Sequence, residues 1–549
     1  MYKKPTQHLL KTLTYTKPYP RLFSLHYHSN TKNDLITNTS AGITTNANVN
    51  SFTGSNITAT NYAHTGIQTF TTPNTDTFAT SNTNINAFTD ANANVLNENT
   101  LQNPLYPIHP VEYTPPNENL DPFIAPSSIP YLKTITNFRL FSLSIIGLLT
   151  LHKSILNLVI KLFPIMPIQL IKWFISPLYC GGTNFEEVKS CLENLNKRGI
   201  SNIMLSLTIE NSNNIKLVND QTQLIIDQTL QSIDYVLKPA ILDKLSKIDP
   251  TASNYEQLIN EIPPGYIALK PSAMIKDSND ILLNFNNPDY QLERNQLIEN
   301  CSLVCQKCHD LNLQLLEKFP QRKTPFFVTT IDAEKFELQK KGVTFLQRIL
   351  FEKFNSDKLP FITVVGTFQL YLKDSQKAIE REYTLAKQNN YKLGLKIVRG
   401  AYLHSEENAQ DIIFNSKFKT DENYNSIMIQ IIKDLLENKE NSIYNHLVIA
   451  SHNYKSTLLA NNLIQLQKNE NGNIFANFNI IIGTLLGMAD NLSHDLIENH
   501  NAKNLIKYVP WGPPKETKDY LLRRLQENGD TVRNDNGIQL LKDIYKTIF

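Results

Sequence analysis

The chain has 549 residues, 41% of them hydrophobic and 19% charged, enough for a large domain with a sizeable buried core. A net charge of +2 and a pI near 8.0 lack the basic excess of a dedicated nucleic-acid binder, so no nucleic-acid partner is expected. Five cysteines make no disulfide framework, and an odd number leaves at least one thiol over, which fits a reducing compartment.

Residues 1–33 carry Lys3, Lys4, Lys11, Lys17, Arg21 and Lys32 and no acidic residue before Asp34, with hydroxyl and leucine residues interleaved. That pattern reads as a mitochondrial transit peptide. Residues 34–120 are Asn/Thr-rich, and no Lys or Arg falls between Lys32 and Lys133. With few large apolar residues and no period, this segment cannot offset its ordering entropy and is expected to be disordered. Residues 121–200 are expected to form a helical arm, packed on the core or associated with a membrane. Its apolar runs Phe141–Leu151 and Ile155–Phe163 are broken by His152 and Lys153 and fall short of a spanning length. Helices that pack on a core or lie in a membrane surface fit them better.

From 201 to 549 short β-branched runs alternate with helical patterns. The expected strands are Asn202–Leu207, Tyr266–Pro271, Phe326–Ile331, Phe361–Gln369, Gly394–Val398, His446–Ser451, Asn479–Gly483 and Leu505–Val509. Helical segments between them, such as Gln296–Phe319 and Asp374–Asn389, imply parallel pairing. Eight units predict an α/β fold, a distorted (β/α)8 TIM-type barrel. A doubly wound sheet is the runner-up, but no Gly-rich turn follows the first strand.

Active-site groups of such barrels gather where strands end. Read in order, those ends offer Lys270, Asp332, Gln369, Lys396 with Arg399 and Tyr402, Ser451-His452-Asn453, and Tyr508. Beyond the eighth strand, helical spacing puts Tyr520, Arg523, Arg524 and Glu527 on one side and Leu521, Leu522 and Leu525 on the other. Adjacent inward arginines need an anionic partner, and guanidinium forks suit a carboxylate; a solvated Arg–Glu face explains the spacing equally well. Cys305-Gln-Lys-Cys308-His309 spells a haem-attachment pattern, but it sits inside a helix where cysteines fill core space. No metal site is expected.

Six blocks then occur in register: Asp332-Ala-Glu334, Val398-Arg-Gly-Ala-Tyr-Leu403, Ala450-Ser-His-Asn453, Leu486-Gly-Met488, Tyr508-Val-Pro-Trp-Gly512 and Tyr520-Leu-Leu-Arg-Arg-Leu-Gln-Glu-Asn528. Together they resemble the proline dehydrogenases, mitochondrial members above all, from about Cys180 to Phe549. The resemblance implies FAD held noncovalently near the strand ends, oxidation of L-proline to Δ1-pyrroline-5-carboxylate, and electrons passed to ubiquinone. It implies a location on the matrix side of the inner membrane, against the membrane surface. It assigns Arg523, Arg524 and Lys270 to the substrate carboxylate, Tyr508 to the substrate ring and Asp332 to organising these charges. Gln369, Lys396, Val398, Gly400, Ala401, Ser451, His452 and Glu527 would line the flavin, with Tyr402 and Leu486 in the substrate pocket. Alternatives are a hydroxyproline dehydrogenase, disfavoured by the bulk of Tyr508, a methylenetetrahydrofolate reductase-like flavin barrel, or a non-catalytic membrane-associated scaffold.

Overall fold

The computed structural model describes residues 126–150, 152–200, 202–209, 219–403, 405–465, 479–531 and 537–548. The expected transit peptide and disordered segment lie outside them, as does the side chain of Glu527.

The N-terminal arm opens with the short helix Ile129–Leu132, followed by α1 (Asn137–Thr150) and α2 (Lys153–Leu162). A further helical run over 168–179 and the helix Phe185–Asn196 lead to the barrel. Asn184 caps that last helix by accepting the Glu187 N–H at 3.0 Å.

Eight parallel strands then close a barrel in sequence order: β1 (Asn202–Leu207), β2 (Gly265–Leu269), β3 (Phe327–Ile331), β4 (Val364–Gln369), β5 (Leu393–Val398), β6 (Tyr444–Ala450), β7 (Ile480–Leu485) and β8 (Leu505–Trp511). All eight fall where the sequence places them, shifted by a few residues at some ends. Nearly every strand residue is buried, because helices cover the outer face and side chains fill the inside. Met204, Tyr266, Val328, Val365, Val448, Ile481 and Ile506 form the inner apolar layer. Below it the Tyr266 hydroxyl meets His446 Nε2 at 2.8 Å, both residues fully buried. Gly394 serves the closure itself: a Cβ there would lie 2.7 Å from the Val364 carbonyl oxygen, at the point where the β5–β6 register shifts.

Between β2 and β3 runs α3 (Gln291–Lys318), which buries Cys301, Cys305 and Cys308 in the core. His309 turns instead to Thr363, Nδ1 lying 3.0 Å from its hydroxyl. After β8 come α4 (Pro514–Thr531) and α5 (Gly537–Ile548). Tyr520 and Leu521 of α4 join Ile146, Leu156, Phe163, Ile171 and Leu178 of the arm in one apolar cluster with Met488. The Lys518 ammonium adds hydrogen bonds to the carbonyls of Pro164 and Met166, at 2.6 and 3.0 Å. α5 returns to the arm, where Ile544 packs with Leu132 and Leu140. Among the described residues no single helix is long and apolar enough to cross a bilayer.

Candidate functional site

Asp332 follows β3 directly, so its carboxylate stands at the mouth of the barrel. One oxygen bonds the Lys396 ammonium, brought by β5, and both side chains are largely withdrawn from water. The other lies 2.8 Å from the Tyr508 hydroxyl, brought by β8. That hydroxyl also lies 2.7 Å from Ser206 Oγ on β1. With one proton to give, it donates to the carboxylate and receives the proton of Ser206. Burial, reinforced by the Asp332 charge, raises the Tyr508 phenol well above its ordinary value, so it remains a donor. Lys396 Nζ sits 5.7 Å from the Tyr508 ring centre. Four strands thus contribute to one fixed constellation of an anion, a cation, a phenol and a serine.

The remaining strand ends extend it. Lys270, after β2, donates to the Leu207 carbonyl at 3.1 Å. The Gln369 amide nitrogen donates to the Glu334 carbonyl at 3.1 Å and lies 3.0 Å from the Tyr371 hydroxyl. Its amide oxygen is buried with no partner among the described residues, an acceptor suited to a ligand N–H. Tyr402 donates to the Ala333 carbonyl at 3.0 Å, which ties the loop after β5 to the one after β3. In that loop Gly400 holds φ 77° and Ala401 is exposed, while Val398 is half-buried at the end of β5.

After β6, Ser451 accepts from Arg399 at 2.9 Å, and Arg399 pairs with Asp421 at 2.8 Å over the Tyr424 ring. His452 Nε2 accepts the Leu485 N–H at 3.1 Å. Burial, then the nearby cations Lys507 and Arg524, pull its pKa down to about 3. The imidazole is therefore neutral, with its proton on Nδ1.

α4 carries the two arginines, and here local spacing misleads. They do not share an inward face: Arg523 is exposed, whereas Arg524 is half-buried. Arg524 lies with Nη1 3.8 Å from Met488 Sδ and its guanidinium 5.0 Å from the Tyr520 ring centre. The arm explains the difference. It offers an apolar surface that takes up Tyr520 and Leu521, and neighbouring helix positions point about 100° apart. Leu486 follows β7 directly and is buried against the apolar core. Two contributors were not foreseen. Ser206 is one of six uniformly buried strand residues and carries no local signal. Met488, named above only as part of the Leu486-Gly-Met488 block, packs in the core and also supports Arg524.

A second buried network braces this end. Asp490 pairs with Lys507 at 2.6 Å and Arg198 at 3.1 Å, and accepts from Tyr131 of the arm at 3.1 Å. Burial would push its carboxyl up; Lys507 and Arg198 outweigh that and hold it at about 2.

A family model described as proline dehydrogenase matches residues 215–536, more than half of the chain. Proline dehydrogenase 1, mitochondrial, of Dictyostelium discoideum is 27% identical over 473 residues, covering 79% of this chain and 77% of that protein. The Homo sapiens protein of the same name is 27% identical over 265 residues, covering 48% and 40%. Among solved structures, proline utilization A from Bdellovibrio bacteriovorus, inactivated by N-propargylglycine, matches with a TM-score of 0.50 and 16% identity. That likeness, over 74% of this chain and 41% of the other, is one of fold. The chain thus spans about two-fifths of the length of the human protein and of the solved chain.

Proposed function

The chain belongs to the proline dehydrogenase family, and from that premise we propose that it oxidises L-proline to Δ1-pyrroline-5-carboxylate with FAD, delivering the electrons to ubiquinone. The proposed location is mitochondrial, on the matrix surface of the inner membrane, in keeping with the names of its relatives. The observation that carries the reading is the Asp332–Lys396–Tyr508 constellation at the barrel mouth, with Arg524 on the helix that follows β8.

The residues present suit a flavin. Gln369 offers a buried acceptor, Lys396 a cation, Ser451 and neutral His452 hydrogen-bonding edges, and Gly400 and Ala401 an open backbone. Val398 would lie along the ring system, and Glu527 is proposed to complete the pocket. Bound there, FAD supplies the two-electron acceptor; a cation such as Lys396 favours its anionic reduced form.

The chain's own residues would do the rest. Arg524, with Lys270 across the mouth, would hold the substrate carboxylate by charge-assisted hydrogen bonds, the exposed Arg523 one position earlier lending only its charge. This fixes which ring carbon faces the acceptor, which is orientation catalysis. Tyr508, held by Asp332 and Ser206, would pack against the pyrrolidine ring, and Tyr402 would close its side. Asp332 keeps Lys396 and Tyr508 in place rather than taking a substrate proton, since both its oxygens already have donors. Oxidation removes a hydride from the ring carbon beside nitrogen and a proton from nitrogen. The amine must therefore be neutral first, and turnover should rise with pH toward its pKa.

The decisive measurement is an anaerobic absorbance spectrum of purified protein with and without L-proline. Loss of the flavin band on adding proline supports the reading. A colourless protein, or a flavin untouched by proline, overturns it.

A further inference from the structure

More than half of the exposed large apolar side chains among the described residues belong to the arm and α5. They are not scattered. On α1, Phe138, Phe141 and Leu148 fall on one stripe, spaced by three and seven; on α2, Ile155, Leu158 and Leu162 fall on another, spaced by three and four. Ile165 is 77% exposed and Trp173 64% exposed in the segment that follows. Phe174, beside Trp173, stacks toward Phe138 with ring centres 5.9 Å apart, so this segment lies against the start of α1. So many exposed large apolar side chains on neighbouring segments mark an interaction surface.

Along the arm itself the charge has one sign. Between Asp121 and Glu186 there is no Asp or Glu, but there are Lys133, Arg139, Lys153, Lys161 and Lys172. α5, packed on α1, adds exposed Ile538, Tyr545 and Ile548 with Lys542 and Lys546. Its one acid, Asp543, is buried and accepts the Ser128 N–H at 3.3 Å. Exposed apolar side chains, a tryptophan among them, on segments whose only exposed charges are basic match the interface of an anionic bilayer. A protein partner or a second copy would have to supply a complementary acidic rim. The same face of another copy is basic and would repel it.

We propose that the arm and α5 form a monotopic docking face that lies in the surface of a membrane rich in anionic phospholipid. This deepens the membrane contact suggested above and depends on none of the redox chemistry. The apolar stripes would sit at the level of the headgroups and upper acyl chains, while the lysines contact lipid phosphates. The apolar cluster shared with Tyr520 and Leu521, and the Lys518 hydrogen bonds, join this face to the helix over the barrel mouth. The site would then open close to the lipid surface.

The test is co-sedimentation of the full-length holoprotein with vesicles of phosphatidylcholine alone or of phosphatidylcholine with cardiolipin. Binding should require cardiolipin and weaken as salt rises, since exposed charges are screened. Lys161→Gln with Lys172→Gln should weaken it about thirtyfold, at roughly 1 kcal/mol per cation. Ile165→Glu with Trp173→Glu should abolish it while flavin reduction by proline in solution stays at the wild-type level. Equal binding to neutral vesicles, or indifference to both double variants, would overturn the proposal. So would a concentration-dependent dimer that the glutamate variant dissolves, since a second copy would then own the face. Vesicle binding by a protein that proline does not reduce would leave this proposal standing and remove the redox one.

Discussion

Asp332→Asn is the most informative substitution because the shape of the site survives while its central charge is lost. The carboxylate serves the Lys396 ammonium with one oxygen and the Tyr508 hydroxyl with the other. An amide accepts through its oxygen only, so its NH2 group must face one of two donors. Lys396 meanwhile loses its carboxylate partner at 7% side-chain exposure. Breaking a fully buried pair in this way costs about 3–5 kcal/mol. Asp332 retains 15% side-chain exposure, so water recovers part of that, and about 2–4 kcal/mol remains. For a domain of this size that is a fall in Tm of roughly 3–6 °C. The assay is thermal unfolding of wild type, Asp332→Asn, Lys396→Met and the double variant. Removing both partners should recover more than about 1 kcal/mol relative to additivity. Two single effects that simply add, to within about 0.5 kcal/mol, would show that the two groups do not hold each other, and the account of the site would fail.

Arg524→Met should raise KM for proline about a hundredfold, the usual loss for one member of a desolvated charge pair, with flavin content near wild type. An unchanged KM in steady-state assays would remove the carboxylate clamp. Stability should fall as pH drops from 6.5 to 4. Burial lowers His446 to about 4, so the unfolded chain binds its proton first, and roughly 3 kcal/mol is lost across that window and none above it. Urea midpoints of wild type and His446→Gln between pH 7 and 4.5 check this; parallel pH profiles would exclude His446 as the source. Gly487→Ala should cost about 2–3 kcal/mol, because φ is +75° and the new Cβ would lie 2.1 Å from the Leu178 carbonyl oxygen. A variant of wild-type melting temperature would show that this joint between arm and barrel yields easily.

Strand positions were legible because parallel strands buried on both faces leave continuous apolar runs, and polar residues such as Asp332 and Gln369 mark where those runs stop. Residues that act within a run were not. Ser206 looks like any small polar residue in a strand until β8 brings Tyr508 beside it. The facing of Arg523 and Arg524 depends on the arm, more than 300 positions earlier, and no window on α4 contains that information. Asp490 is similar. Its partners Tyr131, Arg198 and Lys507 are unremarkable singly and meaningful only once the fold assembles them.

The Ser128–Asp543 hydrogen bond joins residues 415 positions apart, and Leu132, Leu140 and Ile544 pack beside it. Closing so long a loop from an unfolded chain would cost about 5 kcal/mol in entropy alone. Once the barrel has formed, most of that separation is already spanned, so docking of α5 onto α1 belongs late in folding. Trimming either flank should first fray this seam, leaving the strands paired until harsher conditions.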